Sequence, residues 1–177
     1  MNRELLDLLR GGGYILYARH GEATVGEDRP DLNFQNCYTQ RNLSNYGRRQ
    51  AVYYGQILRA LRIPISCPIF ISPFCRAIET AQLAFGRRNV QIDPFWIDVY
   101  RLSADLPAFE QNRILNDLKS KLEIIPPQGA NTVIIAHSFP SGVGLAQIPD
   151  MGTVIIKPLG SGNGYEIISR LSLADLP

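Results

Sequence analysis

Short apolar runs rich in β-branched residues alternate along this chain with longer stretches of helical periodicity. The strand-like runs lie at Tyr14–Ala18, Ile69–Ser72 and Thr132–Ala136. Helices are predicted after the N-cap Ser44, over Cys75–Phe85 and over Ala108–Leu122. Strands that alternate with helices are typical of α/β folds with a largely parallel sheet. The sequence therefore predicts a three-layer α/β sandwich with a mostly parallel central sheet.

The two ends of the chain complete this prediction. An amphipathic helix over residues 1–10 ends at three consecutive glycines. A further strand is predicted over Val90–Val99, interrupted by Pro94. Near the C-terminus, two apolar runs flank the glycine-rich segment Leu159–Gly164 and predict an antiparallel hairpin. Because the sequence shows neither a repeat nor a linker, residues 1–177 are expected to form a single domain.

Composition narrows the range of functions. A net charge of +2 gives no general attraction to nucleic acid or to a membrane surface, so neither partner is predicted. No apolar run approaches the roughly 20 residues that a membrane-spanning helix needs, and a soluble cytoplasmic protein is expected. The three cysteines have no CxxC spacing, which favours reduced thiols over a disulfide framework and predicts no zinc site. The oligomeric state is left open.

Both histidines of the chain directly follow predicted strands. His20 ends the first strand between Arg19 and Gly21, and His137 follows the strand at Thr132–Ala136. In open α/β sheets, ligands bind beyond the carboxyl ends of the strands. We therefore expect His20, His137 and the segment Ser72–Arg76 to face one crevice. Two imidazoles with fixed positive charge suit phosphoryl transfer through a phosphorylated histidine.

Four sequence blocks carry a family resemblance. They are Arg19–Glu22, Asn42–Ala51, Ser72–Ala81 and Ile135–His137, in this order. Together they resemble the histidine phosphatase superfamily, which has the phosphoglycerate mutase-like fold. The stretch Cys37–Leu43 is most similar to small bacterial phosphatases of this superfamily, including those proposed to act on phosphorylated sugars of lipopolysaccharide. The resemblance implies that fold and a phosphatase that uses no metal or other cofactor.

The resemblance also implies roles for four residues. His20 is the expected nucleophile, and Arg19 and Arg76 are expected to bind the phosphoryl oxygens, because a guanidinium matches their geometry and keeps its charge. His137 is expected to donate to the same oxygens and to stabilise the transition state. The neighbouring cations should keep His20 neutral. A cation in the first turn of a helix is unfavourable, which indicates an anion near Arg76.

The general acid is the least well marked of the catalytic groups. The family has a carboxylate in a pattern like Asp-Pro-x-Leu-x-Glu, and Asp93–Asp98 places Asp98 at that position. Glu22, beside the nucleophile, is the second candidate. Asp98 is equally well explained as a carboxylate in a salt bridge. The asparagine that often follows the first block is replaced by Gly26.

The segment from Glu22 to Arg41 is a long polar loop. Loops of more than about 12–15 residues without structure of their own are usually lids or binding segments. Glu22, Gln40 and Arg41 are therefore candidate substrate contacts, and the alternative is an ordinary surface loop.

The predicted function is a cofactor-independent phosphatase that hydrolyses a small phosphomonoester through a phosphohistidine on His20. Its expected partner is a phosphorylated small molecule. A mutase is disfavoured because the chain lacks the length for the extra loops of that branch. Two alternatives stay open, namely a phosphohistidine protein phosphatase and a catalytically silent module that binds a phosphorylated ligand.

Overall fold

The computed structural model describes residues 1–177 and is built around one six-stranded sheet. The strands in chain order are β1 (Ile15–Arg19), β2 (Ile69–Ile71), β3 (Val90–Ile92), β4 (Thr132–Ala136), β5 (Thr153–Pro158) and β6 (Tyr165–Leu171). Across the sheet they lie in the order β3-β2-β4-β1-β5-β6. Strands β1 to β4 run parallel, whereas β5 and β6 pair antiparallel as the predicted hairpin.

Helices cover both faces of this sheet. They are α1 (Arg3–Gly11), α2 (Asn45–Ala60), α3 (Cys75–Phe85), α4 (Phe95–Arg101) and α5 (Ala108–Leu122). Buried apolar residues of α1, α2 and α3 form one core with the sheet, and those of α4 and α5 form a second core on the other face. The predicted three-layer α/β fold is therefore confirmed. None of the helices has the length and apolar character needed to cross a membrane.

Helix α2 shows how local sequence sets these elements. The Ser44 side chain accepts a hydrogen bond from the Gly47 amide at 2.9 Å and caps the helix, as predicted. The helix packs closely on α3 at Gly55, where a Cβ atom would lie 2.0 Å from the Ala84 carbonyl oxygen. Only glycine fits that crossing, so the sequence itself fixes the distance between the two helices.

The predicted strand over Val90–Val99 is wrong in its second half. The strand ends at Ile92, and Phe95–Arg101 is helical. The Asp93 side chain accepts a hydrogen bond from the Phe95 amide at 3.0 Å, and Pro94 has helical backbone angles. Proline is well suited to the start of a helix. The aromatic and β-branched residues beside Pro94 favour a strand, which is why the sequence predicts one there. Trp96 and Val99, three residues apart, are buried as one helical face.

The prediction of reduced cysteines is also wrong for two of the three. Cys37 and Cys75 form a disulfide across 38 positions of sequence, and Cys67 is a free, exposed thiol. The spacing gave no signal for the pair because the two residues meet only when the long loop folds back over the start of α3.

Candidate active site

Three neighbouring parallel strands bring the predicted site residues together. Arg19, the last residue of β1, lies opposite Ala136, the last residue of β4, so His20 and His137 leave the sheet side by side. Their ring centroids are 5.5 Å apart. Ser72 directly follows β2, the other neighbour of β4. His20, His137 and Ser72 therefore lie close together at the carboxyl edge of the sheet.

The hydrogen bonds of His20 define its tautomer. Its Nδ1 atom lies 2.7 Å from the carbonyl oxygen of Gly21. A carbonyl can only accept, so Nδ1 carries the proton and Nε2 carries the lone pair. Arg76 donates from Nε to this Nε2 atom at 3.2 Å. The unprotonated nitrogen of the predicted nucleophile thus faces the side chain predicted to bind phosphate.

The imidazole of His20 is held in its neutral form. Burial lowers its pKa from 6.5 to about 3, and the positive charges of Arg76, Arg19 and Arg41 act in the same direction. The hydrogen bond to the Gly21 carbonyl opposes this shift. The sequence predicted the neutral form from the cations alone, whereas burial makes the larger contribution.

His137 is the second buried imidazole of the site. Its Nε2 atom forms a 2.7 Å hydrogen bond with the Ser72 hydroxyl, and its carbonyl accepts from Tyr17 at 2.8 Å. Burial, followed by the proximity of His20 and Arg76, holds the pKa of His137 well below its usual value. Ser72 and the surrounding backbone therefore fix this ring beside His20.

Arg76 is buried and bound to a carboxylate of the long loop. Its Nη1 and Nη2 atoms lie 2.8 Å and 3.1 Å from Asp28 Oδ1 and Oδ2, a two-point ion pair. The guanidinium also stacks on the Phe74 ring at 4.3 Å from its centroid. The anion expected near Arg76 is thus Asp28 in the ligand-free protein.

Asp28 has its other contacts within the site as well. Oδ1 accepts from the Arg41 amide at 2.8 Å, and Oδ2 accepts from the Tyr100 hydroxyl at 2.9 Å. Burial favours the neutral form of Asp28, but the bonds from Arg76, Arg41 and Tyr100 outweigh it and lower its pKa. This carboxylate is ionised in the free protein.

Arg19 has one donor without a partner. Its Nη1 donates to the Ile148 carbonyl at 3.0 Å, and its Nη2 lies 3.1 Å from Asp150. Its Nε is buried and has no hydrogen-bond partner. An unpaired buried donor is costly, so a phosphoryl oxygen at this point would satisfy it.

The two predicted acids, Asp98 and Glu22, bind other side chains. Asp98 is on α4, where its carboxylate binds Arg101 at 3.2 Å and Arg113 at 3.1 Å. Glu22 accepts a 2.6 Å hydrogen bond from the Ser44 hydroxyl at the start of α2. Neither carboxylate is bonded to His20, and the role of Asp98 as the acid stays a prediction.

The remaining loop candidates hold the loop together. Gln40 is buried, and its amide accepts from the Cys75 backbone at 2.8 Å and donates to the Asn33 carbonyl at 2.9 Å. Arg41 donates from Nε to the Thr24 carbonyl at 2.8 Å. With the nearby disulfide, these bonds make Glu22–Arg41 a folded segment fastened to the start of α3.

Sequence reasoning missed Asp28 and Tyr100 as members of the site. Asp28 lies within the long polar loop, and no local pattern shows that its partner lies 48 positions away. Ser72 lies in a family block, but the sequence gave it no role. No cluster of three or more histidine, cysteine or acidic side chains forms a site that could hold a metal ion.

The protein has an α/β fold in which two buried imidazoles lie side by side at the carboxyl edge of the sheet. Residues 15–98 match the family model described as histidine phosphatase superfamily (branch 1). This match agrees with the resemblance seen in the sequence blocks; it contains His20 and Arg76 and ends before His137. No curated protein matches the chain.

Solved structures share the fold at low sequence identity. The protein histidine phosphatase SixA in complex with tungstate is 14% identical with a TM-score of 0.60, over 93% of this chain and 99% of that one. A mutant phosphoserine phosphatase from Entamoeba histolytica in complex with phosphoserine is 15% identical, with a TM-score of 0.58 and coverage of 93% and 99%. The alpha-ribazole phosphatase from Shigella flexneri is 15% identical, with a TM-score of 0.58 and coverage of 90% and 96%.

Proposed function

We propose that the protein is a cofactor-independent phosphatase that hydrolyses a small phosphomonoester through a phosphohistidine on His20. One observation carries the proposal: the lone pair on Nε2 of a neutral, buried His20 faces the guanidinium of Arg76 at 3.2 Å. A nucleophile beside a fixed cation is what transfer of an anionic phosphoryl group requires. The proposal assigns residues 1–177 to one domain with this activity.

In the first step, His20 Nε2 attacks phosphorus and the bond from phosphorus to the leaving oxygen breaks. The Nδ1 proton stays hydrogen-bonded to the Gly21 carbonyl, which stabilises the positive charge that forms on the ring. The phosphoryl oxygens are bound by Arg76, by the unpaired Nε of Arg19 and by His137. These donors stabilise the negative charge on the oxygens in the transition state. Water then attacks the phosphohistidine, which releases phosphate and restores neutral His20.

A phosphorylated small molecule is the proposed partner, in line with the phosphoserine bound to the Entamoeba relative. The proposed location departs from the cytoplasm predicted from the sequence. Disulfides are rare in the reducing cytosol, and the bond between Cys37 and Cys75 therefore favours an oxidising compartment.

The test is hydrolysis of p-nitrophenyl phosphate in the presence of EDTA, for wild type and His20→Ala. Wild type should turn over the ester and should form an acid-labile phosphoenzyme, and both should be lost in His20→Ala. Cys67→Ser, a change at an exposed free thiol, is the matched control and should behave as wild type. Turnover that survives in His20→Ala would refute the proposed nucleophile.

A phosphohistidine protein phosphatase is the second candidate. The ion pairs of Asp98 with Arg101 and Arg113 favour it, because an imidazole leaving group depends less on an acid than an alkoxide does. Hydrolysis confined to phosphohistidine peptides would select this candidate. The third candidate, a silent binding module, would bind vanadate in an Arg76-dependent manner and hydrolyse no ester.

A further inference from the structure

Asp28 closes the site in the free protein. The fractional exposures of His20, Arg76 and His137 are 5%, 3% and 4%. The Asp28 carboxylate binds both terminal nitrogens of Arg76, the two-point geometry that a phosphoryl group uses on a guanidinium. A bound phosphoryl group and Asp28 therefore compete for the same donors.

The loop keeps Asp28 at the site after such an exchange. An isolated bridge between Ala23 and Leu43 closes the base of the loop, and the disulfide of Cys37 ties its far end to α3. The Arg41 amide and the Tyr100 hydroxyl hold the carboxylate independently of Arg76. Substrate can thus take the guanidinium while Asp28 stays next to the phosphoryl group.

We propose that Asp28 is the catalytic residue that protonates the leaving oxygen of the phosphomonoester. This inference rests on the proposed function. The other carboxylates near the site are engaged elsewhere: Glu22 with Ser44, Asp98 with Arg101 and Arg113, and Asp150 with Arg19. Asp28 is the carboxylate that lies on the guanidinium in contact with the nucleophile.

The charges around Asp28 explain how an ionised carboxylate becomes an acid. In the free protein Arg76 from α3, Tyr100 from α4 and the Arg41 amide from the loop stabilise its negative charge, and its pKa is lowered. When the substrate takes the place of Asp28 on Arg76, Asp28 loses its ion pair and gains a phosphoryl anion as a neighbour. Both changes favour the protonated form of Asp28. The substrate brings the proton, because a phosphomonoester has its second pKa near about 6.

The steps balance. A monoanionic ester binds Arg76 and passes its proton to Asp28. As His20 Nε2 bonds to phosphorus, the ester bond breaks, and the leaving oxygen takes the proton from Asp28 and departs as the alcohol. In the second step the Asp28 carboxylate takes a proton from the attacking water while the bond from phosphorus to nitrogen breaks. Phosphate leaves with that proton, and Asp28 returns to Arg76.

The experiment compares two substrates that differ in their need for an acid. A nitrophenolate leaves readily without a proton, whereas the alkoxide of glycerol 2-phosphate does not. In Asp28→Asn, kcat/KM for glycerol 2-phosphate should fall by about 10²- to 10⁴-fold. The value for p-nitrophenyl phosphate should fall by less than about tenfold. Retained turnover of the aryl ester also shows that the variant is folded.

A milder variant and a control keep the result interpretable. Tyr100→Phe removes one hydrogen bond from Asp28 and should give the same selectivity between substrates with a smaller loss. Asp117→Asn, a change at an exposed carboxylate paired with Arg113, should show no such selectivity. An equal loss on both esters in Asp28→Asn and Tyr100→Phe would mean that the pair only positions Arg76, and a gain on both would mean that Asp28 only blocks the site. Either result overturns the inference, whereas a wild type that hydrolyses neither ester refutes the proposed function instead.

Discussion

The two buried histidines make the stability of the fold depend on pH in a window where little else titrates. The chain has only two histidines, and both have folded-state pKa values below the usual one. In the unfolded chain each imidazole has a pKa near about 6.5 and takes up a proton as the pH falls. Stability is therefore complete above that pH and is lost as the pH falls below it.

The size of the effect follows from the His20 pKa of about 3. At pH 5 the folded protein keeps His20 neutral, whereas the unfolded chain is almost fully protonated there. Linkage then gives a loss of about 2 kcal/mol in the free energy of unfolding between pH 7.5 and pH 5. The pKa of His137 is also held well below its usual value, so His137 adds to this loss in the same direction.

Urea unfolding of the ligand-free protein at pH 7.5, 6.5 and 5 measures this loss. The lower limit stays above the usual pKa values of aspartate and glutamate, so carboxylates contribute little. In His20→Gln the pH dependence should be smaller by about 2 kcal/mol, because the contribution of His20 is gone. A wild type whose stability changes by less than about 1 kcal/mol over this range would refute the reasoning, as would a His20→Gln variant with the full dependence.

Three further changes, one of them with a control variant, test the structure around the site. Asp98→Asn should keep turnover near that of wild type. Its free energy of unfolding in urea should fall by at most about 1 kcal/mol, because the ion pairs of Asp98 are partly exposed. A large loss of kcat in this variant would instead support Asp98 as the general acid. Gly47→Ala places a Cβ 2.1 Å from the Glu22 carbonyl oxygen and should cost about 1–3 kcal/mol by thermal unfolding. Gly11→Ala, which meets nothing within 4 Å, should be neutral. Cys37→Ser should cost about 2–4 kcal/mol and lower turnover, because it frees the loop from α3; unchanged kinetics would show that the loop does not need this bond.

Local sequence patterns predicted most of the fold. The helices at Cys75–Phe85 and Ala108–Leu122 and the strand at Thr132–Ala136 have the bounds that their periodicity predicted. The failure at Val90–Val99 has a local cause as well, since the Asp-Pro pair that starts a helix was outweighed by β-prone neighbours. Strand order depends on long-range pairing, and the sequence left it open.

The site was predictable only where a family block marks it. The blocks around His20, Arg76 and His137 meet at the sheet edge as expected. The partners that control these residues come from positions far apart along the chain, and no periodic signal joins them. Asp28 reaches Arg76 across 48 positions, and Cys37 reaches Cys75 across 38.

The burial of Arg76 requires that its charge always has a partner. A guanidinium exposed to 3% is destabilising unless an anion and its hydrogen bonds accompany it, and breaking such a pair typically costs about 3–5 kcal/mol. Asp28 supplies that anion, and in the proposed complex the phosphoryl group replaces it. The proposed mechanism therefore requires substrate and product each to displace a carboxylate, which would weaken phosphate binding and favour product release. A site that held Arg76 without Asp28 would bind phosphate more tightly but would be less stable when empty.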